Sequence, residues 1–172
     1  MESERIKMIK LNLECGYDVR NGYININSKP IELDKIPVPS EAKFYTCYYG
    51  NLDPIIGDGE VDELVFSEKL NALAYTEVFE VLKHWIKKIK QTGKIFVNFY
   101  DIRLIARDLH LHDLALKDAH NRILGENNKF KMLFDLELLR ASSHDLGLDI
   151  ENVSFDDSVI SVELVKSKFA NL

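Results

Sequence analysis

Only nine residues, Glu14–Gly22, separate the two apolar, strand-like segments in LNLECGYDVRNGYININ, residues 11–27. A parallel crossover usually takes a dozen or more residues, commonly a helix. Either the first crossover helix is shortened or missing, or the second strand is not parallel to the first. The same stretch runs from an apolar strand through a polar turn with glycine into another strand. That is the layout of a nucleotide- or cofactor-binding loop.

Further strand signals follow. Ile9–Leu13, Tyr23–Ile26, Phe44–Tyr49, Glu63–Phe66 and Ile95–Tyr100 are short, apolar or β-branched, and bounded by polar breaks. Ile150–Phe155 and Val159–Val165 flank Asp156-Asp157-Ser158 and read as an antiparallel hairpin. Between them, Val78, Leu82, Trp85, Ile86 and Ile89 recur at helical period, with Thr76 as N-cap and Gly93 as C-terminal cap. Further helices are expected over Ile102 to about Leu116 and over Leu136–Leu146, with a mixed segment around Gly125. The segment 28–43, SKPIELDKIPVPSEAK, reads as a wrapped loop, because its prolines forbid a regular helix. Strands alternating with helices predict an α/β three-layer sandwich with a mostly parallel sheet and a C-terminal antiparallel hairpin. Ligands in such sheets bind outside the carboxyl ends of the strands, where the strand order reverses.

The chain of 172 residues is expected to form a single domain, residues 1–172. Lys+Arg of 22 against Asp+Glu of 28 gives a net charge of −6 and no dense basic run, which argues against non-specific nucleic-acid binding. No window resembles a membrane span or a signal peptide. Cys15 and Cys47 fit neither a metal-ligand spacing nor a disulfide framework, so free thiols in the cytoplasm are expected.

KLNLECGYDVRNGYININ, followed by VDELVFSEKLNALAYTEVFEVLKHWIKKIKQTGKIFVNFYDI, resembles the class I S-adenosylmethionine-dependent methyltransferases. The most similar branch carries L-N-L-G-C-G, then G-Y-x-N-x-D and V-D-E-I, a Trp-containing helix and K-P-G-G-K. The likeness spans roughly residues 9–105. It implies a Rossmann-like methyltransferase fold and S-adenosylmethionine as cofactor, with no metal. Asn12, Glu14, Cys15 and Gly16 would form the loop under the methionine part of the cofactor. Asn27 takes the place of the acid that holds the ribose hydroxyls. Asn51 or Asp53 would lie near the adenine, and Ser67 and Glu68 near the methyl group and substrate. Tyr100 and Asp101 would line the outer pocket, with Glu68 and Asp101 as candidate bases.

The cofactor motifs are degenerate. Glu14 replaces a loop glycine, Asn27 the ribose acid and Gln91-Thr92-Gly93 the Pro-Gly-Gly. Two functions stay open: a methyltransferase-like protein with weakened cofactor binding, acting on a small-molecule or protein methyl acceptor, or a catalytically inactive methyltransferase fold serving a protein partner. Plainer readings account for other features. His110 and His112 are two apart and cannot share a ligand on a helix, so a solvated helix face is favoured over a metal site. Trp85 reads as core, and strand alternation explains Tyr45, Tyr48 and Tyr49 better than stacking on an adenine does. No G-x-x-x-x-G-K-[ST] loop is present, so an NTPase reading has no support.

Overall fold

A computed structural model describes residues 8–30, 32, 38–39 and 42–168. Seven strands form one sheet: β1 (Lys10–Leu13), β2 (Ile24–Asn27), β3 (Lys43–Thr46), β4 (Val61–Lys69), β5 (Ile89–Tyr100), β6 (Leu148–Asp156) and β7 (Val159–Lys166). Their order is β3-β2-β1-β4-β5-β7-β6. The first five are parallel to one another, and the β6–β7 hairpin adds two strands, β7 running antiparallel to β5 and to β6. Helices α1 (Tyr75–Lys88), α2 (Ile102–His110), α3 (Leu116–Leu124) and α4 (Leu136–Asp145) fill the later connections. The expected mostly parallel α/β sheet with an antiparallel C-terminal pair is what forms. No helix stands between β1 and β2, whose Leu11↔Ile24 and Leu13↔Ile26 registers are parallel.

A ten-residue crossover, Glu14–Tyr23, succeeds because two buried asparagines take over hydrogen bonds that a helix would make internally. Asn12 Nδ2 donates to the Asp18 carbonyl at 2.7 Å and to Asn25 Oδ1 at 3.0 Å. Asn25 Oδ1 also accepts from the Arg20 N–H at 3.0 Å, while its Nδ2 donates to the carbonyls of Arg20 and Tyr23 at 3.1 and 3.2 Å. Ser67 Oγ closes the network by donating to Asn12 Oδ1 at 2.6 Å. Backbone groups turned in toward the sheet need partners of this kind.

Strand alternation sorts the two faces. Leu11, Leu13, Ile26, Leu64, Phe66, Ile95, Val97 and Phe99 point to one side, with Ile160, Val162 and Leu164 from β7. That side receives Val78, Val81, Leu82 and Trp85 of α1 and Leu139 of α4 in one core cluster. Phe66 meets Trp85 at 5.2 Å between ring centroids, and Phe99 meets Phe134 at 4.7 Å. Trp85 is fully buried, as its spacing predicts. The opposite side is polar. Lys10, Glu63 and Lys94 form a row across β1, β4 and β5, and Lys94 pairs with Glu163 of β7. Over β4, β5, β7 and β6 this face carries a shallow groove of about 600 Å³. Loop, rather than helix, covers it over β1 and β2.

Some boundaries differ from expectation. Helix α1 starts at Tyr75, one residue before the expected cap Thr76, and Glu77 rather than Thr76 caps it, its carboxylate accepting from the Ala74 N–H at 3.1 Å. Gly93 is no helix cap: Ile89 is fully buried and already extended, so the chain passes straight from α1 into β5. A Cβ at Gly93 would lie 2.7 Å from the Val61 carbonyl oxygen, so glycine is needed where β4 and β5 approach closely. The helix expected from Ile102 to Leu116 stops at His110, where the Asp108 carbonyl accepts from Asp113 and Leu114 and Leu114 turns into a small core with Ile105 and Ala119. The segment around Gly125 holds the full helix α3. Of the Pro-containing loop, residues 31, 33–37, 40 and 41 lie outside the described residues.

Asn25→Ala removes four hydrogen bonds from the crossover network and a fifth to the Lys43 carbonyl of β3. Its expected effect is a loss of about 3 kcal/mol of unfolding free energy, measurable by urea denaturation. An unchanged midpoint would show that the crossover is held by other means.

Candidate functional site

The strand order reverses between β1 and β4, and a cavity of about 480 Å³ opens at their carboxyl ends. Phe66 and Leu73 supply apolar walls, Tyr48 and Tyr49 come from the segment after β3, and Glu77 from the first turn of α1. Glu14, Asn27 and Ser28 stand at the ends of β1 and β2, while Glu68, Lys129 and Lys131 reach in from β4 and from the segment before α4.

Glu77 organises one wall. Its carboxylate accepts from both tyrosine hydroxyls at 2.8 Å, from the Ala74 N–H and from Lys131 Nζ at 3.3 Å. Burial works to raise its pKa, but these donors prevail and hold it at about 2. Burial first, and then the bond to Glu77, pushes the Tyr49 hydroxyl far above its ordinary value. The Tyr48–Tyr49–Glu77 wall is therefore a fixed anion with two neutral phenols. Glu68 pairs with Lys129 at 3.0 Å across the opening.

The other wall is the β1–β2 loop. Glu14 sits at φ 49°, the left-handed region that glycine adopts freely and a glutamate adopts at a cost of about 1–2 kcal/mol. Its carboxylate offsets that cost by accepting from the Ser28 N–H at 2.8 Å and from the Ser28 hydroxyl, so it spans the ends of β1 and β2. Asn27 is 5% exposed and has both ends of its amide engaged. Its Oδ1 accepts from the Gly16 N–H and its Nδ2 donates to Cys15 Sγ, each at 3.0 Å. Burial is the main cause that raises the Cys15 thiol, with Asn27 opposing it.

Of the residues singled out in the sequence, Glu14, Asn27 and Glu68 line this cavity. Cys15 and Gly16 form the loop beneath, tied to Asn27. Asn12 and Ser67 bond to each other in the crossover network. Asn51 and Asp53 lie on the surface beyond Tyr49, where Asp53 pairs with the buried Lys88 at 2.6 Å. Asp101 is buried as the N-cap of α2: its Oδ1 accepts from Arg103 and Leu104 N–H groups, and its Oδ2 from the Leu136 N–H. Tyr100 packs on Phe130. Sequence reasoning missed Glu77, Lys129 and Lys131. Glu77 carried a signal, since an acid at the third helical position marks a cap, whereas the two lysines come from a segment with no periodicity. Among the described residues no group of three His, Cys, Asp or Glu side chains is placed to hold a metal ion, and no helix is long and apolar enough to cross a membrane.

The fold has solved counterparts. A SAM dependent methyltransferase from Archaeoglobus fulgidus superposes with a TM-score of 0.66 over 92% of this chain and 86% of its own, at 11% identity. Magnesium protoporphyrin IX methyltransferase (ChlM) from Synechocystis PCC 6803 with bound SAH gives 0.62 over 95% and 76%, at 12% identity. An O-methyltransferase family protein from Burkholderia thailandensis gives 0.62 over 98% and 54%, at 12% identity. No family model matches the sequence, and no curated protein matches it. The chain has the class I methyltransferase fold.

The segment carrying Tyr48 and Tyr49 is also held by a titratable contact. His84 Nε2 accepts from the Leu52 N–H at 2.8 Å, which requires the neutral ring. Burial lowers its pKa from the ordinary 6.5, with Lys87 and Lys88 assisting and Asp53 and Asp58 opposing. Because the unfolded chain then takes up the proton first, this contribution to stability is complete above pH 6.5 and is lost as pH falls through the depressed value. The thermal midpoint is expected to drop on acidification below that pH, and His84→Gln, which keeps an acceptor without titrating, to flatten the slope. An identical slope in the variant would assign the pH dependence to other groups.

Proposed function

We propose that this chain is a methyltransferase-like protein whose cavity at the carboxyl ends of β1 and β4 binds S-adenosylmethionine with weakened affinity. The observation that carries this reading is the cavity itself: about 480 Å³ at the topological switch point, with the carboxylates of Glu14, Glu68 and Glu77 on its walls. Lys29, Lys129 and Lys131 share those walls, so a ligand bearing a carboxylate as well as a sulfonium and an ammonium group would meet both signs of charge. The residues fit the cofactor in size and charge, and fall short in ribose recognition, because the amide of Asn27 is used within the loop. Tyr48 and Tyr49 would stand beside the adenine, Phe66 and Leu73 beneath it, and Glu14 near the methionine end. When bound, the cofactor supplies a methyl group on an already activated sulfonium. The chain's part is to orient the acceptor and to exclude water. Glu68, at the mouth of the cavity, is the carboxylate available to take a proton from a small-molecule or protein acceptor. Free Cys15 and Cys47 support a reducing, cytoplasmic setting.

A second reading, a catalytically inactive fold that serves a protein partner, is favoured by one specific feature: the side chains of Glu14 and Asn27 are both spent on closing the β1–β2 loop. Calorimetric titration with S-adenosylmethionine and S-adenosylhomocysteine separates the two. Weak saturable binding is expected, and Asn27→Asp together with Glu14→Gly is expected to tighten it about tenfold, the difference between a neutral and a charged hydrogen bond. No heat and no thermal shift at millimolar ligand would leave the inactive reading standing.

A further inference from the structure

Half-buried lysines on or beside this sheet have polar partners, Lys166 Nζ donating to the Ile89 carbonyl at 2.8 Å. Lys10 pairs with Glu63 at 2.8 Å, Lys88 with Asp53 and Asp58 at 2.6 and 2.7 Å, Lys90 with Asp62 at 2.7 Å, and Lys94 with Glu163. Lys69, the half-buried last residue of β4, does not. Among the described residues its Nζ has no ion pair and no hydrogen bond, and it lies 5.3 Å from the centroid of the Tyr100 ring. The adjacent Glu68 is turned to Lys129 instead. Beside Lys69 is a second unmatched group: Asn98, its register partner on β5, has a buried Oδ1 with no hydrogen-bond partner. Glu68 and Lys129 line the carboxyl-end cavity, and Asn98 lines the groove on the open face.

We propose that Lys69 anchors an anion-binding subsite at the carboxyl end of β4, holding a carboxylate or phosphate group of the methyl acceptor. An ammonium partly withdrawn from water without a partner is costly, and an incoming anion removes that cost. A hydroxyl next to the anionic group, or the proton of a monohydrogen phosphate, would satisfy Asn98 Oδ1. Burial, with the charge of Lys129, lowers the Lys69 pKa against the pull of Glu68 and Asp156, and a bound anion would raise it again. Assigning the anion to a methyl acceptor rests on the function proposed above; the anion site itself does not.

The test uses the full chain without cofactor. Inorganic phosphate and acetate are titrated separately at constant ionic strength, and binding is followed by backbone amide NMR shifts. Saturable shifts centred on Lys69, Asn98 and Tyr100 are expected with one of the anions, which identifies the acceptor's group. Affinity should fall about tenfold in Lys69→Met, which keeps the stem on Tyr100, and persist in Lys69→Arg and in the exposed control Lys117→Met. Absence of saturable shifts with either anion, or equal binding by a folded Lys69→Met, overturns the proposal; the wild-type titration decides alone if that variant does not fold. Anion binding without S-adenosylmethionine binding would remove the methyl-acceptor assignment and keep the site. The reverse result would remove only the site.

Discussion

The Asn12–Asn25 contact carries an unusual share of this fold. Parallel strands normally owe their adjacency to a helix that satisfies its own backbone as it crosses back over the sheet. Here ten residues make the return, and their backbone groups would be stranded on the sheet without the amides of two fully buried asparagines. An amide side chain suits the task because it offers donors and an acceptor together. An aspartate could not donate, and a leucine could do neither. Once that crossover is held, β1 can lie between β2 and β4, and the crevice at the switch point exists.

Replacing a helix by a loop has a consequence for the whole face. Among the described residues no helical layer lies above β4, β5, β7 and β6, so the sheet there meets water, and its residues suit that setting. The Lys10–Glu63 and Lys94–Glu163 pairs, with Asn152 donating to Glu163 at 2.6 Å, give the open side a charged lattice of near-zero sum. Exposed antiparallel sheets commonly look like this, whereas parallel strands are more often buried on both sides. The apolar investment is concentrated on the other face, where α1 and α4 pack.

Much of this was legible in the sequence where physics is local. The helical period from Val78 to Trp85, the β-rich run before Tyr100 and the Asp156–Ser158 turn each announce their element, and the short Glu14–Gly22 gap announces the absent helix. What stayed hidden depends on distant partners. Gly93 looks like a helix stop until the Val61 carbonyl is seen beside it. Asp101 looks like a base at a strand end until three N–H groups are found on its carboxylate. The wall built by Tyr48, Tyr49 and Glu77 joins residues 28 and 29 positions apart, and alternation alone favoured a plainer role for the tyrosines.

Glu14 and Asn27 connect the two halves of the problem. In a methyltransferase fold the ends of β1 and β2 are the natural place for a glycine and an acid, the first for close approach and the second for a ribose. In this chain the same two positions fasten the crossover: Glu14 bridges to Ser28, and Asn27 holds Gly16 and Cys15. A loop without a helix needs such fasteners more than a helical crossover does. Under the proposed function, fold closure and cofactor recognition would compete for the same atoms. Any gain in ligand affinity made by freeing Asn27 or removing Glu14 would then be set against a looser loop.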